Sequence, residues 1–527
     1  MASTGRSFPR VLPAGDAAIA VELADTLDLE VCARVRALDR ALSERPFAGL
    51  VECVPTVRSL LVLFDPARIA ASEVGTHVRE RLSAPTTPAP PGRLHEIPVR
   101  YGDEAGPDLE GVARHLGTSV DAVVQQHGGR EYTVLMLGFT PGFAYLGVLP
   151  PALSLPRRAT PRTRVPSGSV GLAGPFTGIY PRASAGGWHL IGRTTVPLFD
   201  PHQASPARLA AGDRVRFVPS DEAPAASSVA PSFDDGEPLV EVLEPGAQTT
   251  VQDLGRTGYR RYGVARAGAM DPAALGAANR AIGNAGSAPG LECTLVGPRL
   301  RFLRTTRFAV AGADLGAVLW RSDLGRWVVP HGRAVVARAG NVLAFEGRRS
   351  GYRAYVAFAG GLAVPIVMGS CATDVGAGFG GGGALRAGDV LRGGRTLGFA
   401  SDSASAAPDT PGVVRLQVTP GPQEQALDDA SMRMILKEEF VVSTEADRAG
   451  LRLEGPRLHH RGSAEILSDG MPPGSIQVPP DGAPIVMAAE GPTTGGYVKP
   501  LVIVSADLTK LGQLVPGETR VRFWMKD

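Results

Sequence analysis

A chain of 527 residues is too long for one hydrophobic core and suggests three or four domains at about 150 residues each. Its apolar share of 44% is that of a globular protein, and a net charge of +2 argues against a dedicated nucleic-acid binder. No apolar run reaches the ~18–20 residues of a membrane span, Met1–Gly15 has no apolar signal core, and the four cysteines form no CxxC pair. These features lead us to expect a cytoplasmic protein with reduced thiols, no structural metal and no membrane partner. The 66 glycines and 45 prolines, with few helical patterns, predict a mainly β fold of short strands and many turns.

Taken in chain order, residues 1–83 read as a small β-α-β-β-α module. Strand signals lie at Ala17–Leu23 and Ser59–Phe64. Helical periodicity covers Leu29–Leu42, with Val31, Val35 and Leu38 on one face, and Glu73–Leu82. A Pro/Ala/Ser-rich connector, Ser83–Gly92, leads to residues 94–219, which carry one helix near Leu109–Gln126 and otherwise short strands. A second connector, at 220–236, should be exposed and flexible, with the halves on either side packed against each other. A β-rich region at 237–400 follows, then a third connector at 401–412 and a closing region at 412–527. Turn signals at Gly212-Asp213, Gly340-Asn341, Gly388-Asp389 and Gly517-Glu518 each precede an apolar stretch, as turns into barrel strands do.

Three short elements recur in the same order. Pro166-Ser167-Gly168-Ser169 matches Pro473-Gly474-Ser475, Thr177-Gly178-Ile179-Tyr180 matches Thr494-Gly495-Gly496-Tyr497, and Gly212–Phe217 matches Gly517–Phe523. The order predicts related β-barrels at the ends of the two halves.

The most distinctive stretch is Gly138–Leu146, GFTPGFAYL. Its glycines permit close approach, and Phe139, Phe143 and Tyr145 with Thr140 make either a pocket wall or a packed turn. Arg157, Arg158, Arg162 and Arg164 form a guanidinium run suited to a carboxylate or phosphate, or a solvated strand edge. His189 stands beside glycines, Trp188 and Arg193. It reads as a general acid/base, an oxyanion stabiliser or a structural histidine. Gln252, Asp253 and Arg256, then Asp271, read as a polar site rim, although Asp271 before Pro272 is also a helix cap. Glu292 and Asp314 read as site carboxylates or turn formers. Gly376–Gly383 contains GxGxxG without the flanking strand and helix of a dinucleotide site, so we read it as a mobile loop.

With GFTPGFAYLG, RRATPRTRVPSGS and GGWHLIGRT, residues 11–219 resemble the allophanate-hydrolase subunit 1 family, which includes the B-type component of 5-oxoprolinase and the Kip kinase-inhibitor proteins. With VQDLGRTGY, GAMDPAALGAANRAIGN, ECTLVGP and TTGGY, residues 237–527 resemble the subunit 2 family, which includes the C-type component of 5-oxoprolinase. Together they resemble the carboxyltransferase region of urea carboxylase. The resemblance implies cyclophilin-like barrels and a fused B/C component of an ATP-dependent 5-oxoprolinase working with a separate A-type subunit. A biotin-dependent carboxyltransferase for urea or another amide, and a sensor-kinase inhibitor, are the alternatives. In the leading reading His189, Arg162, Arg193, Asp271 and Asp253 are the catalytic candidates. Phe139, Thr140, Phe143, Tyr145, Gln252, Arg256, Thr494 and Tyr497 would bind a small amide. ATP, with magnesium, would bind either at an atypical site on this chain or on the partner subunit, biotin would not be carried by this chain, and a homo-oligomer is left open. The family's Gln before Thr-Thr-Gly-Gly-Tyr is Pro492 here, which leaves the substrate contacts open.

Overall fold

The computed structural model describes residues 7–84, 92–221, 236–394, 407 and 412–526; apart from their ends and Ala407, the three connectors lie outside the described residues. The N-terminal module runs β1 (Arg10–Pro13), β2 (Ala18–Glu22), α1 (Leu29–Glu44), β3 (Leu50–Pro55), β4 (Ser59–Phe64) and α2 (Ala71–Ser83), adding the edge strand β1 to the expected pattern. Its sheet has the order β1-β2-β4-β3. Asp28 starts α1 by accepting the Glu30 and Val31 N–H groups. Val35, Leu38, Leu42, Val74 and Val78 from the helices then cover Val21, Leu60, Val62 and Phe64. Strand alternation turns Ala18, Ala20, Leu61 and Leu63 to the other face. There Leu61 packs against Gly470 of the C-terminal region, so the module is a bridge to the opposite end of the chain.

The first barrel comprises β5 (Leu94–Tyr101), α3 (Leu109–His115), α4 (Val120–Gly128), β6 (Glu131–Leu137), β7 (Ala144–Gly147), β8 (Arg162–Val165), β9 (Ser169–Ala173), β10 (Phe176–Ile179), β11 (Ser184–Gly186), β12 (His189–Arg193) and β13 (Arg214–Pro219). The single helix expected at Leu109–Gln126 is two. Gly117 has φ +66°, and Ser119 caps the second helix through the Ala122 N–H.

The middle region holds β14 (Glu237–Glu244), β15 (Gln248–Gln252), α5 (Pro272–Ala281), β16 (Gly290–Thr294), β17 (Arg299–Phe302), β18 (Thr306–Asp314), β19 (Ala317–Arg321), β20 (Gly325–Val328), β21 (Val335–Ala337), β22 (Val342–Phe345), β23 (Ser350–Phe358) and β24 (Val390–Gly393). They form sheets of order β20-β19-β22-β17-β14-β24 and β15-β16-β23-β18-β21 around one core, with α5 packed on β18 and β23. The last region holds β25 (Val413–Pro420), α6 (Asp429–Lys437), β26 (Phe440–Val442), β27 (Gly450–Glu454), β28 (Glu465–Gly470), β29 (Ser475–Val478), β30 (Ile485–Met487), β31 (Thr494–Ile503) and β32 (Arg520–Trp524).

The two barrels are closed rings with one topology. The first runs β5-β13-β6-β7-β10-β9-β12, and the second runs β25-β32-β26-β27-β30-β29-β31 and closes through β25 and β31. Each contains one parallel pair, β5–β13 and β25–β32. Register corrects one of the three sequence matches. His189 faces Leu172 and Arg193 faces Ser169 in one barrel; Val498 faces Val478 and Val502 faces Ser475 in the other. Tyr497 is therefore the counterpart of Trp188, and Gly495-Gly496 of Gly186-Gly187, whereas Thr177–Tyr180 lies around β10, whose counterpart is β30. Short glycine motifs align by eye at the wrong strand; the ladder decides.

The four turn signals all lead into strands. Gly212, Gly340, Gly388 and Gly517 have φ between +78° and +100°. At three of them the next residue's side chain closes the turn, accepting the N–H three residues back: Asp213 from Ala210, Asn341 from Arg338 and Asp389 from Arg386.

Hydrogen bonds tie the first half to the second at several places. Phe139 N–H donates to Thr494 Oγ1 at 3.2 Å and Gly142 N–H to the Tyr262 carbonyl at 2.8 Å. Glu52 accepts from Gly258 N and Arg260 N, Arg261 pairs with Asp39 at 2.7 Å, and Asp16 accepts from Ser505. A protease site placed within 220–236 and cleaved should therefore leave both halves in one gel-filtration peak. Clean separation at micromolar concentration would contradict this packing.

Candidate functional site

The segments that carry the sequence motifs meet where the first barrel touches the second half. The turn after β6 puts Phe139 at φ +66°, and its N–H meets Thr494 at the start of β31. Gly138 beside it lies so close that an added Cβ would stand 2.1 Å from Thr494 Oγ1. Tyr145 shares a hydrogen bond with Ser468, and burial raises its phenol above the ordinary range. One residue on, Asp469 is buried and accepts from Ser59 of the N-terminal module and from Gln423 at 3.2 Å. Lys499, fully buried on β31, places its amine 3.7 Å from Asp469. Burial opposes ionisation of Asp469, but Lys499 and Arg58 outweigh it and hold the carboxyl below its usual range. Arg58 of the N-terminal module and Asp469 and Lys499 of the second barrel thus form one buried charge cluster, with Tyr145 of the first barrel bonded to the neighbouring Ser468.

A second charged layer lies where the middle region meets the two barrels. Asp253 accepts from Ser370 Oγ at 2.6 Å and Cys371 N at 2.7 Å. Gln252 is wholly buried and donates to Thr250 and to the Thr373 carbonyl. Arg256, 1% exposed, donates to the Ala372 carbonyl and lies 5.1 Å over the Phe379 ring. Arg182 of the first barrel and Glu490 of the second both act on Asp374. Burial and the like charge of Glu490 push Asp374 up to about 6. Arg448 reaches Glu490 at 2.5 Å, the Gly268 carbonyl at 2.6 Å and Glu292. Glu292 also takes Tyr355 at 2.7 Å, Met270 N at 2.8 Å and Arg353 at 3.4 Å.

The structure separates residues that the sequence reading grouped. Phe143 and Tyr145 do not wall a cleft. They pack edge to face with Tyr180 and Trp188, with ring centroids 5.0–5.7 Å apart, and Phe139 caps that cluster at 5.4 Å from Phe143. Four rings satisfy one another, so little aromatic face is left for a ligand. Thr140 is held in the tight turn by the Gly138 carbonyl. Arg162 binds both oxygens of Asp108, at 2.8 and 2.9 Å, and Arg158 joins at 2.9 Å. Arg193 donates to the Ser167 carbonyl at 2.8 Å. His189 contacts the Pro156 carbonyl and lines an open cleft of about 450 Å³ with Asp108, Arg157 and Arg158, apart from the aromatic cluster. Tyr497 is half-buried and pairs with Glu465. Asp314 closes a turn through the Gly316 N–H. The Gly-rich segment, read as a mobile loop, begins packed: Asp374 accepts from Ala377 N, and Glu490 from Gly376 N.

Asp271 caps α5 through Ala274 N at 3.0 Å, and its other oxygen accepts from Gln513 at 2.8 Å. Both oxygens are engaged in structure. Asp271→Ala should cost about 1 kcal/mol of stability, as caps do, and leave turnover intact; a loss of turnover at unchanged melting temperature would reverse that assignment. Lys499, Asp469, Arg260, Asp374 and Arg448 were not singled out from sequence. Their partners lie up to hundreds of residues away, and only the positions of Lys499, two residues after the Gly-Gly-Tyr motif, and Arg260, directly after VQDLGRTGY, offered a signal.

Comparison with known proteins places this architecture. Residues 9–209 match the model of the carboxyltransferase domain, subdomain C and D, and residues 262–525 that of subdomain A and B. The B-type 5-oxoprolinase subunit of Escherichia coli O157:H7 is 43% identical over 208 residues, covering 40% of this chain and 94% of its own length. The C-type 5-oxoprolinase subunit of Escherichia coli K12 is 36% identical over 282 residues, covering 53% of this chain and 89% of its own. The urea amidolyase of Lachancea kluyveri is 30% identical over 348 residues, but these are 18% of its length. The crystal structure of TTHA0988 superposes with a TM-score of 0.86 at 36% identity, covering 96% of this chain and 99% of that one. No described helix is long and apolar enough to cross a membrane. The chain belongs to the carboxyltransferase-domain family, with subdomains C and D in its first half joined to A and B in its second.

Proposed function

We propose that this chain is the fused B/C component of an ATP-dependent 5-oxoprolinase, opening 5-oxo-L-proline to L-glutamate together with a separate A-type subunit. The observation that carries this reading is the packing of a B-type half and a C-type half across a junction to which both contribute buried charges. A lactam is a stable amide, so its opening needs activation of the carbonyl before water attacks. That chemistry calls for fixed cationic groups around developing negative charge and for exclusion of bulk water. Arg182, Arg256, Arg260 and Lys499 are such groups on this chain, and Asp253 and Asp374 are carboxylates beside them. ATP and its magnesium belong, in this proposal, to the assembled enzyme; among the described residues no cluster of three or more metal-ligating side chains is present.

The test is reconstitution. The chain mixed with an A-type subunit should release glutamate from 5-oxo-L-proline only when ATP is present, and neither component alone should do so. If the mixture is inert while the chain transfers a carboxyl group from carboxybiotin to a urea nitrogen, releasing biotin, the distant urea amidolyase relationship is the functional one and the oxoprolinase reading falls.

A further inference from the structure

Beside the junction lies a cleft lined in part by Leu254 of VQDLGRTGY and by Ala269, Met270 and Pro272 of GAMDPAALG. It has a volume of about 230 Å³ and opens between the middle region and the second barrel. Most of its wall is apolar, built from Met270, Met487, Leu508 and Leu511 among others. Among the described residues on that wall, the charged groups are two guanidiniums, Arg260 and Arg266. Arg260 is 5% exposed and spends one nitrogen on the Met471 carbonyl, but its buried Nε has no partner. Arg266 is exposed and donates from Nε to the Leu254 carbonyl at 3.1 Å. Burial lowers the affinity of Arg260 for its proton; Glu52 opposes that and the like charge of Arg266 adds to it. Two like charges brought to one apolar wall, with a buried donor unused, are stabilised by an anion between them.

We propose that this cleft binds a small carboxylic acid with an apolar ring, its carboxylate held by Arg260 and Arg266; on the reading above, that acid is 5-oxo-L-proline. The cavity is smaller than the roughly 300 Å³ at which drug-sized sites begin, which suits a single small ring and not a nucleotide. Its mostly apolar lining suits ring methylenes, and Met471, which Arg260 grips, is two residues from Asp469 of the junction cluster.

Calorimetric titration of the full chain tests this directly. 5-Oxo-L-proline should bind at least about 10-fold more tightly than 2-pyrrolidone, the same lactam without a carboxylate. Arg266→Gln, at an exposed position that should not disturb folding, should remove that preference and leave 2-pyrrolidone unaffected. Ala489→Leu, which narrows the cleft, should weaken both. Equal binding of 5-oxo-L-proline by wild type and both variants would overturn the proposal. Kinetics with the A-type subunit separate it from the proposed reaction. An active enzyme whose KM for 5-oxo-L-proline is unchanged by Arg266→Gln removes the cleft and keeps the reaction. Carboxylate-dependent binding lost in Arg266→Gln, without any ATP-dependent lactam opening, keeps the cleft and removes the reaction.

Discussion

Replacing Arg448 by Met should lower the thermal transition by roughly 10 °C near neutral pH, and the deficit should shrink as the pH falls. Arg448 is 4% exposed and stands between two buried carboxylates, Glu292 at 1% and Glu490 at 5% side-chain exposure. Burial works against its charge, but Glu292 and Glu490 outweigh burial and raise its proton affinity. Burial also works against ionised Glu292, and Arg448 and Arg353 together hold it below the usual carboxylate range. Removing one partner of such a cluster leaves buried charge uncompensated, a loss of about 3–5 kcal/mol. At about 2–4 °C per kcal/mol for regions of this size, the transition falls by the amount stated. The pH dependence follows from linkage. In the wild type, the stabilisation from Glu292 is present above its unfolded pKa and is lost as pH falls through its lower folded value. In Arg448→Met, Glu292 loses the larger of the two guanidinium influences that offset its burial, so its folded pKa rises. The penalty is then full above that raised value and fades as protonation neutralises the group. Melting curves of both proteins from about pH 8 to about pH 5 check this. A shift under 2 °C at pH 8, or a gap that does not narrow toward pH 5, would show that the cluster does not hold the middle region to the second barrel. Arg448→Lys should fall between the two, because an ammonium keeps the charge but not the planar fork.

Local physics was legible in the sequence, and cross-chain pairing was not. The helix start at Asp271 and three of the four turns into strands follow from side chains three residues from the backbone groups they satisfy, so a reader of the sequence finds them. The barrels were legible as a repeat, yet Thr177–Tyr180 was set against the wrong strand, because a Thr-Gly-x-Tyr string fits either β10 or the β31 region until register is known. The aromatic motif showed the same limit at the level of the site. Phe143 and Tyr145 have the composition of a pocket wall, but Tyr180 and Trp188, more than thirty residues later, fill the space they face. Arg162 read as an anion binder or part of a solvated strand edge because Asp108, its partner, precedes it by 54 residues. Charged residues at the junction escaped notice for the same reason: Ser59 and Asp469, 410 positions apart, become neighbours only when the N-terminal module folds back onto the second barrel.

That composite junction makes Gly138 the position where a single methyl group should do most damage. On the function proposed above, Gly138→Ala is expected to reduce the ATP-dependent activity reconstituted with an A-type subunit by about 10²-fold while each barrel stays folded. The new Cβ would meet Thr494 Oγ1 at 2.1 Å, its Cγ2 at 2.9 Å and its Cβ at 3.1 Å. Thr494 has little freedom to yield, since it is buried, begins β31 and accepts the Phe139 N–H. Overpacking at such a contact costs about 1–3 kcal/mol, which the chain can relieve by moving the first barrel away from the second. Displacement of about 1 Å between groups that must act together is enough for a 10²-fold loss. The effect should sit in kcat with little change in the melting transition of either barrel. A second substitution, Thr494→Ala, removes the Oγ1 and Cγ2 atoms and should restore part of the rate, although it also gives up the bond to Phe139. Gly138→Ala with full activity would mean that the reacting groups lie within one half and that the junction is only a joint. An equal loss in Gly138→Ala with and without Thr494→Ala would place the defect in the backbone of the turn and not in the spacing of the barrels.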